Sequence, residues 1–64
     1  GSFNHACALE IMGEIARREA REAEAADHFA AGLRTFAEIG DRGGVADCLD
    51  GLARVALTAG DARR

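Results

Sequence analysis

Apolar residues recur along this chain at steps of three and four, and no segment alternates with a period of two. From about residue 4 to residue 18, Leu9, Met12 and Ala16 fall at helical spacing, with Cys7, Ile11 and Ile15 beside them. That is the broad apolar face an amphipathic helix presents to a core. Glu10, Glu14, Arg17 and Arg18 take the other side, and Glu14 precedes Arg18 by four residues, a favourable ion-pair spacing. From about 22 to 39 the stripe is Ala26, Phe29, Leu33 and Phe36, widened by Ala25, Ala30 and Ala37. From about 42 to 59 it is Val45, Cys48, Leu52, Val55 and Ala59, with Asp47, Asp50 and Arg54 opposite. The pattern predicts three helices and no strands, an all-α chain.

The joins differ in how clearly they are written. In "ARREAREAEAAD" there is no glycine or proline, so the first two helices can be read as one rod with pairs such as Arg18–Glu22. The charge order favours a break near Glu19 to Arg21. Arg17, Arg18 and Arg21 come first and Glu22, Glu24 and Asp27 follow, so cations end one helix and carboxylates begin the next, each worth ~0.3–1 kcal/mol. A hairpin is therefore expected, with a rod and a domain-swapped dimer as the alternative. The second join is "AEIGDRGGVADC". Gly40 suits a left-handed helix cap, Asp41 suits the N-cap of the next helix, and Gly43 and Gly44 allow two helices to approach closely. A phosphate loop is the competing reading. It needs a strand before the glycines and a GxxxxGKS/T or GxGxxG pattern, and the chain has neither pattern and no lysine. These glycines turn the chain. Ala59-Gly60-Asp61 repeats the signal and predicts the end of the third helix, with Asp61 placed to cap a fourth.

Composition narrows the class. A chain of 64 residues builds one small domain at most, marginal unless stapled or associated. Two cysteines make no disulfide framework, and a net charge of −3 argues against binding a phosphate backbone. No apolar run or leader suggests a membrane span or secretion, so a cytoplasmic setting is expected. Gly1-Ser2 reads as a tag remnant, leaving residues 3–64 as the domain.

Candidate chemistry is thin. His5, Cys7, His28 and Cys48 are possible zinc ligands, but none is spaced as CxxC or HxxxH, and His5 and Cys7 splay ~200° around a helix. A Cys–His nucleophile pair lacks anything to orient it. Glu10, Glu14, Asp47 and Asp50 read as solvated helix faces. A DNA-reading third helix would turn Asp47 and Asp50 toward phosphates, which repel them. No catalytic, metal or cofactor residue is expected, and no enzyme.

Leu9, Met12-Gly13 and Ala16, followed by Ala25, Phe29 and Gly32, resemble one tetratricopeptide-like repeat. Leu49, Leu52-Ala53 and Ala56, followed by Gly60-Asp61, resemble the first helix of a second copy, 40 positions on, where about 34 is usual. Ala20-Arg21 stands where the family usually has Gly-Asp, and the family's tryptophan and tyrosine are missing. The stretch "FAEIGDRGGVADCLDGLARVALTAGD" also resembles repeats in the C-terminal regions of actinobacterial LuxR-type and related ATP-binding regulators. The resemblance implies a helical hairpin plus the first helix of the next repeat, cut from something longer. It implies a non-catalytic scaffold for protein contacts within a signalling or transcriptional regulator, with no nucleic-acid contact from this segment. The partner is then another protein or the neighbouring repeats. Val45, Leu49, Leu52 and Val55 are the candidate interaction residues, because a missing fourth helix would take away part of their cover. A self-associating helical domain is the alternative, and a homodimer of the isolated chain is expected on either reading. A small metal-binding or DNA-binding helical domain ranks below both.

Overall fold

The computed structural model describes residues 1–62, with side-chain surroundings through Gly60. They form three helices, α1 (Ser2–Arg18), α2 (Glu22–Glu38) and α3 (Arg42–Ala62), and no strand. α1 begins two residues earlier than the apolar pattern indicates, because the His5 amide reaches the Gly1 carbonyl at 3.1 Å and closes the first turn.

Both turns have the same construction. At the first, the Ala20 amide donates to the Arg17 carbonyl (3.1 Å) and the Arg21 amide to the Ala16 carbonyl (2.9 Å). At the second, Gly40 donates to Ala37 (3.1 Å) and Asp41 to Phe36 (2.9 Å). This double bond pattern closes a helix around one left-handed residue. That residue is Gly40 (φ 75°) at the second turn and Ala20 (φ 61°) at the first. A rod is thereby ruled out, and the break falls where the charge order puts it. Arg17 and Arg18 close α1, and Glu22 and Glu24 open α2. α3 is capped as expected, the Gly44 amide donating to Asp41 Oδ1 at 2.9 Å.

The core is one stripe of α2 wedged between α1 and α3. Ala25, Phe29, Gly32 and Phe36 are its buried residues. Phe29 packs with Ala16 of α1 and Val55 of α3, while Phe36 packs with Ala6 of α1 and Cys48 of α3. Contact partners climb one helix as they descend the other, so α2 runs antiparallel to both neighbours. Two rings filling the middle of a three-helix domain leave no room for Cβ atoms around them. A Cβ on Gly13 would lie 3.0 Å from the Phe29 ring, and one on Gly51 would lie 2.5 Å from it. A Cβ on Gly44 would overlap the Phe36 ring. Glycine in a helix interior costs roughly 0.5–1 kcal/mol against alanine. Burying a phenylalanine contributes ~1.5–3 kcal/mol, which offsets that cost.

Several expectations need correction. The buried face of α1 is Ala6, Leu9, Gly13 and Ala16. Met12, Ile11 and Ile15 point outward, at 41%, 59% and 48% exposure. On α2 the expected Phe29, Phe36 and Ala25 are buried and Gly32 joins them, while the expected Ala26 and Leu33 are half-buried and Ala37 is exposed. α3 does not stop at Ala59. It continues through Gly60 and Asp61 to Ala62, because a helix crosses one glycine at a cost of only ~1 kcal/mol.

Candidate interaction surfaces

The candidate interaction residues of α3 separate into three environments. Val55 is buried at 7% exposure, in the core with Ala16, Ala25 and Phe29. Leu52 and Val45 are half-buried and pack against the two ends of the core. Leu49 alone is open, at 53%. Of the four expected to lose part of their cover, only Leu49 is open: the core covers Val55 and part of Leu52 and Val45. The open face lies one position round the helix, on Ala46, Leu49, Ala53, Ala56 and Gly60, all exposed. Leu57, at 68%, flanks it. At its upper end a cavity of about 370 Å³ is lined by Ala37, Gly40, Val45, Ala46 and Leu49.

α1 carries a second open apolar stripe. Ala8, Ile11, Met12 and Ile15 follow one another at helical spacing, and all are exposed. Sequence reading takes Ile11 and Ile15 into the core because glycines carry no hydrophobic signal. The side of α1 that is buried is built on Ala6 and Gly13, the least conspicuous residues of the segment.

Between α1 and α3 runs a cleft of about 360 Å³ with Phe29 and Gly51 at its floor. Its walls carry Glu10 and Glu14 from α1, and Asp47, Asp50 and Arg54 from α3. Partial burial pushes the Glu10 carboxyl above its usual value, with Asp47 and Glu14 adding repulsion. Glu14 goes the other way. The Arg17 guanidinium, donating to it, holds its carboxyl low, and Arg18 adds a contact at 3.3 Å. Asp50 pairs with Arg54 at 3.0 Å. Two of the four carboxylates, Glu14 and Asp50, are thus paired within their own helices, while Glu10 and Asp47 face each other across the cleft without a cation partner of their own.

The remaining candidates stay apart. Cys7 and Cys48 are free thiols, and burial pushes Cys48 up to about 11, so it is protonated at neutral pH. Among the described residues no three His, Cys, Asp or Glu side chains converge as metal ligands would. No helix among them is long and apolar enough to cross a membrane. Compared with known proteins, the chain matches no family model, no curated sequence and no solved structure.

Proposed function

We propose that this chain is a non-catalytic scaffold for protein–protein contacts, a helical-repeat segment working within a larger signalling or transcriptional regulator in the cytoplasm. One observation carries the reading: apolar stripes in helical register lie open on both outer helices, Ile11 and Ile15 on α1 and Leu49 and Leu57 on α3. In a domain this small such stripes mark contact surfaces. A unit of a stacked helical repeat has this arrangement, since each unit covers its neighbours with apolar faces and only the capping units carry a polar outer face. The acidic balance and the absence of lysine weigh against nucleic acid as partner.

The test is association of the chain with itself. Sedimentation velocity over a wide concentration range should show reversible association that weakens in Leu49→Glu and weakens further when Ile15→Glu is added. Both positions are about half-exposed and outside the core, so neither change disturbs it. A cooperative monomer persisting at high micromolar concentration would refute the reading.

A further inference from the structure

The chain contains its own evidence for what covers α3. Positions 40 apart correspond: Leu9 with Leu49, Met12 with Leu52, Gly13 with Ala53 and Ala16 with Ala56. The correspondence extends to exposure. Ala6, Leu9, Gly13 and Ala16 are the α1 residues buried against α2, and their counterparts Ala46, Leu49, Ala53 and Ala56 form the open face of α3. The reverse also holds. Cys48, Gly51 and Val55 are the α3 residues buried against the preceding α2. Their counterparts Ala8, Ile11 and Ile15 form the open stripe of α1. Each of these two helices therefore carries one face for the helix before it and one for the helix after. α3 has the first face filled and the second empty.

Resting on the scaffold reading, we propose that the open face of α3 is a docking site for an amphipathic helix of α2's own chemistry. Such a helix carries small–Phe–small–Phe at steps of four, three and four, and it lies antiparallel to α3. The occupant is fixed by the filled copy of the same face: Ala25, Phe29, Gly32 and Phe36 cover Ala6, Leu9, Gly13 and Ala16. The cavity beside Ala46 corroborates it. Phe36 packs against Ala6, so its equivalent in the occupant falls next to Ala46, where about 370 Å³ stands open. Val45, half-buried at the rim, forms the wall of that socket. Gly60 stands 40 positions after Ala20, the left-handed residue of the first turn. A continuous chain thus has glycine where it would turn back onto this face. A second copy of the whole domain is a poorer occupant, because its α2 stripe is already buried on both sides.

The probe is a labelled peptide of residues 21–41, titrated against the 64-residue chain at a concentration where the chain is monomeric. Saturable binding should shift the backbone amides of Ala46, Leu49, Ala53 and Ala56. Leu49→Glu should weaken it at least tenfold, and a peptide with both phenylalanines changed to serine should not bind. Because a short peptide is poorly helical alone, a second protein carries residues 22–41 appended after Asp61. It should form a fourth helix, with the amides of the appended segment protected from exchange and a larger urea m-value than the parent. An appended segment that stays unprotected overturns the proposal. So do shifts confined to Ile11 and Ile15, or shifts at Leu9 and Ala16 from displacement of the chain's own α2. A chain that self-associates yet leaves this face bare to the peptide and to the appended helix refutes this inference alone and leaves the scaffold reading standing.

Discussion

Gly51→Ala should destabilise the domain, while Gly43→Ala, on the same helix, should stabilise it. The pair isolates packing from backbone preference. In a helix interior alanine is favoured over glycine by ~0.8–1.0 kcal/mol, whatever surrounds it. Gly43, the second residue of α3, gains at most that much, and nothing opposes it: the nearest atom to an added Cβ is Asp41 Oδ1 at 3.5 Å, an ordinary contact. At Gly51 an added Cβ would lie 2.5, 2.6 and 2.7 Å from three atoms of the Phe29 ring. Retreat toward α1 is blocked by Gly13, whose equivalent Cβ position lies 3.0 Å from the ring.

Overpacking a well-filled core costs typically 1–3 kcal/mol, and a ring clamped between two helices belongs at the upper end. Subtracting about 1 kcal/mol of helix preference leaves a net loss of about 2 kcal/mol at Gly51. In a domain of this size that corresponds to a fall in Tm of roughly 8–16 °C. Gly43→Ala, gaining up to about 1 kcal/mol, should raise Tm by at most about 4–8 °C on the same scale. Helicity followed at 222 nm during urea and thermal unfolding, at one fixed protein concentration, gives both values. If Gly51→Ala unfolds at or above the parent's midpoint, Phe29 is not wedged between Gly13 and Gly51, and the packing described for α2 is wrong.

Replacing the left-handed Ala20 with glycine should stabilise the first turn by about 0.5–1 kcal/mol, as a steric cost of 1–2 is relieved and unfolded-chain entropy takes part of it back; Gly40→Ala should cost about 1 kcal/mol at the second, both read from urea midpoints. Glu10→Gln should stabilise at neutral pH and make no difference well below pH 4. The reason is that a carboxyl raised in the fold contributes stability while protonated and loses it as pH rises through its folded value. Glu14→Gln should do the opposite, removing stability present at neutral pH and lost on acidification, because its folded value is held low. A thiol reagent at pH 8 should leave Cys48 unmodified until the protein unfolds, since it is fully buried and pushed up to about 11, whereas half-buried Cys7 should react first; mass spectrometry of partly labelled protein distinguishes them.

What could be read from the sequence was whatever apolar periodicity, charge order or turn and capping chemistry records. The three helices, the hairpin break after Arg18 and the Asp41 cap all follow from such signals. What escaped was the side of a helix defined by small residues. α1 looks oriented by Leu9, Met12 and Ala16 with Cys7, Ile11 and Ile15 beside them, yet of these only Leu9 and Ala16 are fully buried, in the company of Ala6 and Gly13. A hydrophobic pattern scores glycine as nothing, while a phenylalanine on the facing helix requires it. The usable signal is relational: glycines inside otherwise good helices, at Gly13, Gly44 and Gly51, balanced by two phenylalanines seven residues apart on a neighbouring helix. The same omission displaced the interaction residues. Val55 reads as part of an open stripe until Gly51 and Cys48 show that this side of α3 lies on α2.

Gly40-Asp41 and Gly60-Asp61 are the same dipeptide after the same kind of helix, yet only the first is a turn. Local preference is nearly neutral between the outcomes. A left-handed glycine closes the helix with two backbone bonds, while continuing adds one bond per residue at a cost of ~1 kcal/mol for the glycine. What decides is the burial that follows. Turning at Gly40 lets Gly44, Cys48, Gly51 and Val55 settle onto Phe36 and Phe29, and each apolar side chain so covered is worth more than the difference between the two backbones. Turning at Gly60 would bring nothing onto Ala46, Leu49, Ala53 and Ala56 among the described residues, and there the helix continues. The choice at Gly60 is therefore conditional. A helix with α2's small–Phe–small–Phe stripe laid on that face would supply the missing burial and tip Gly60 from helical to left-handed.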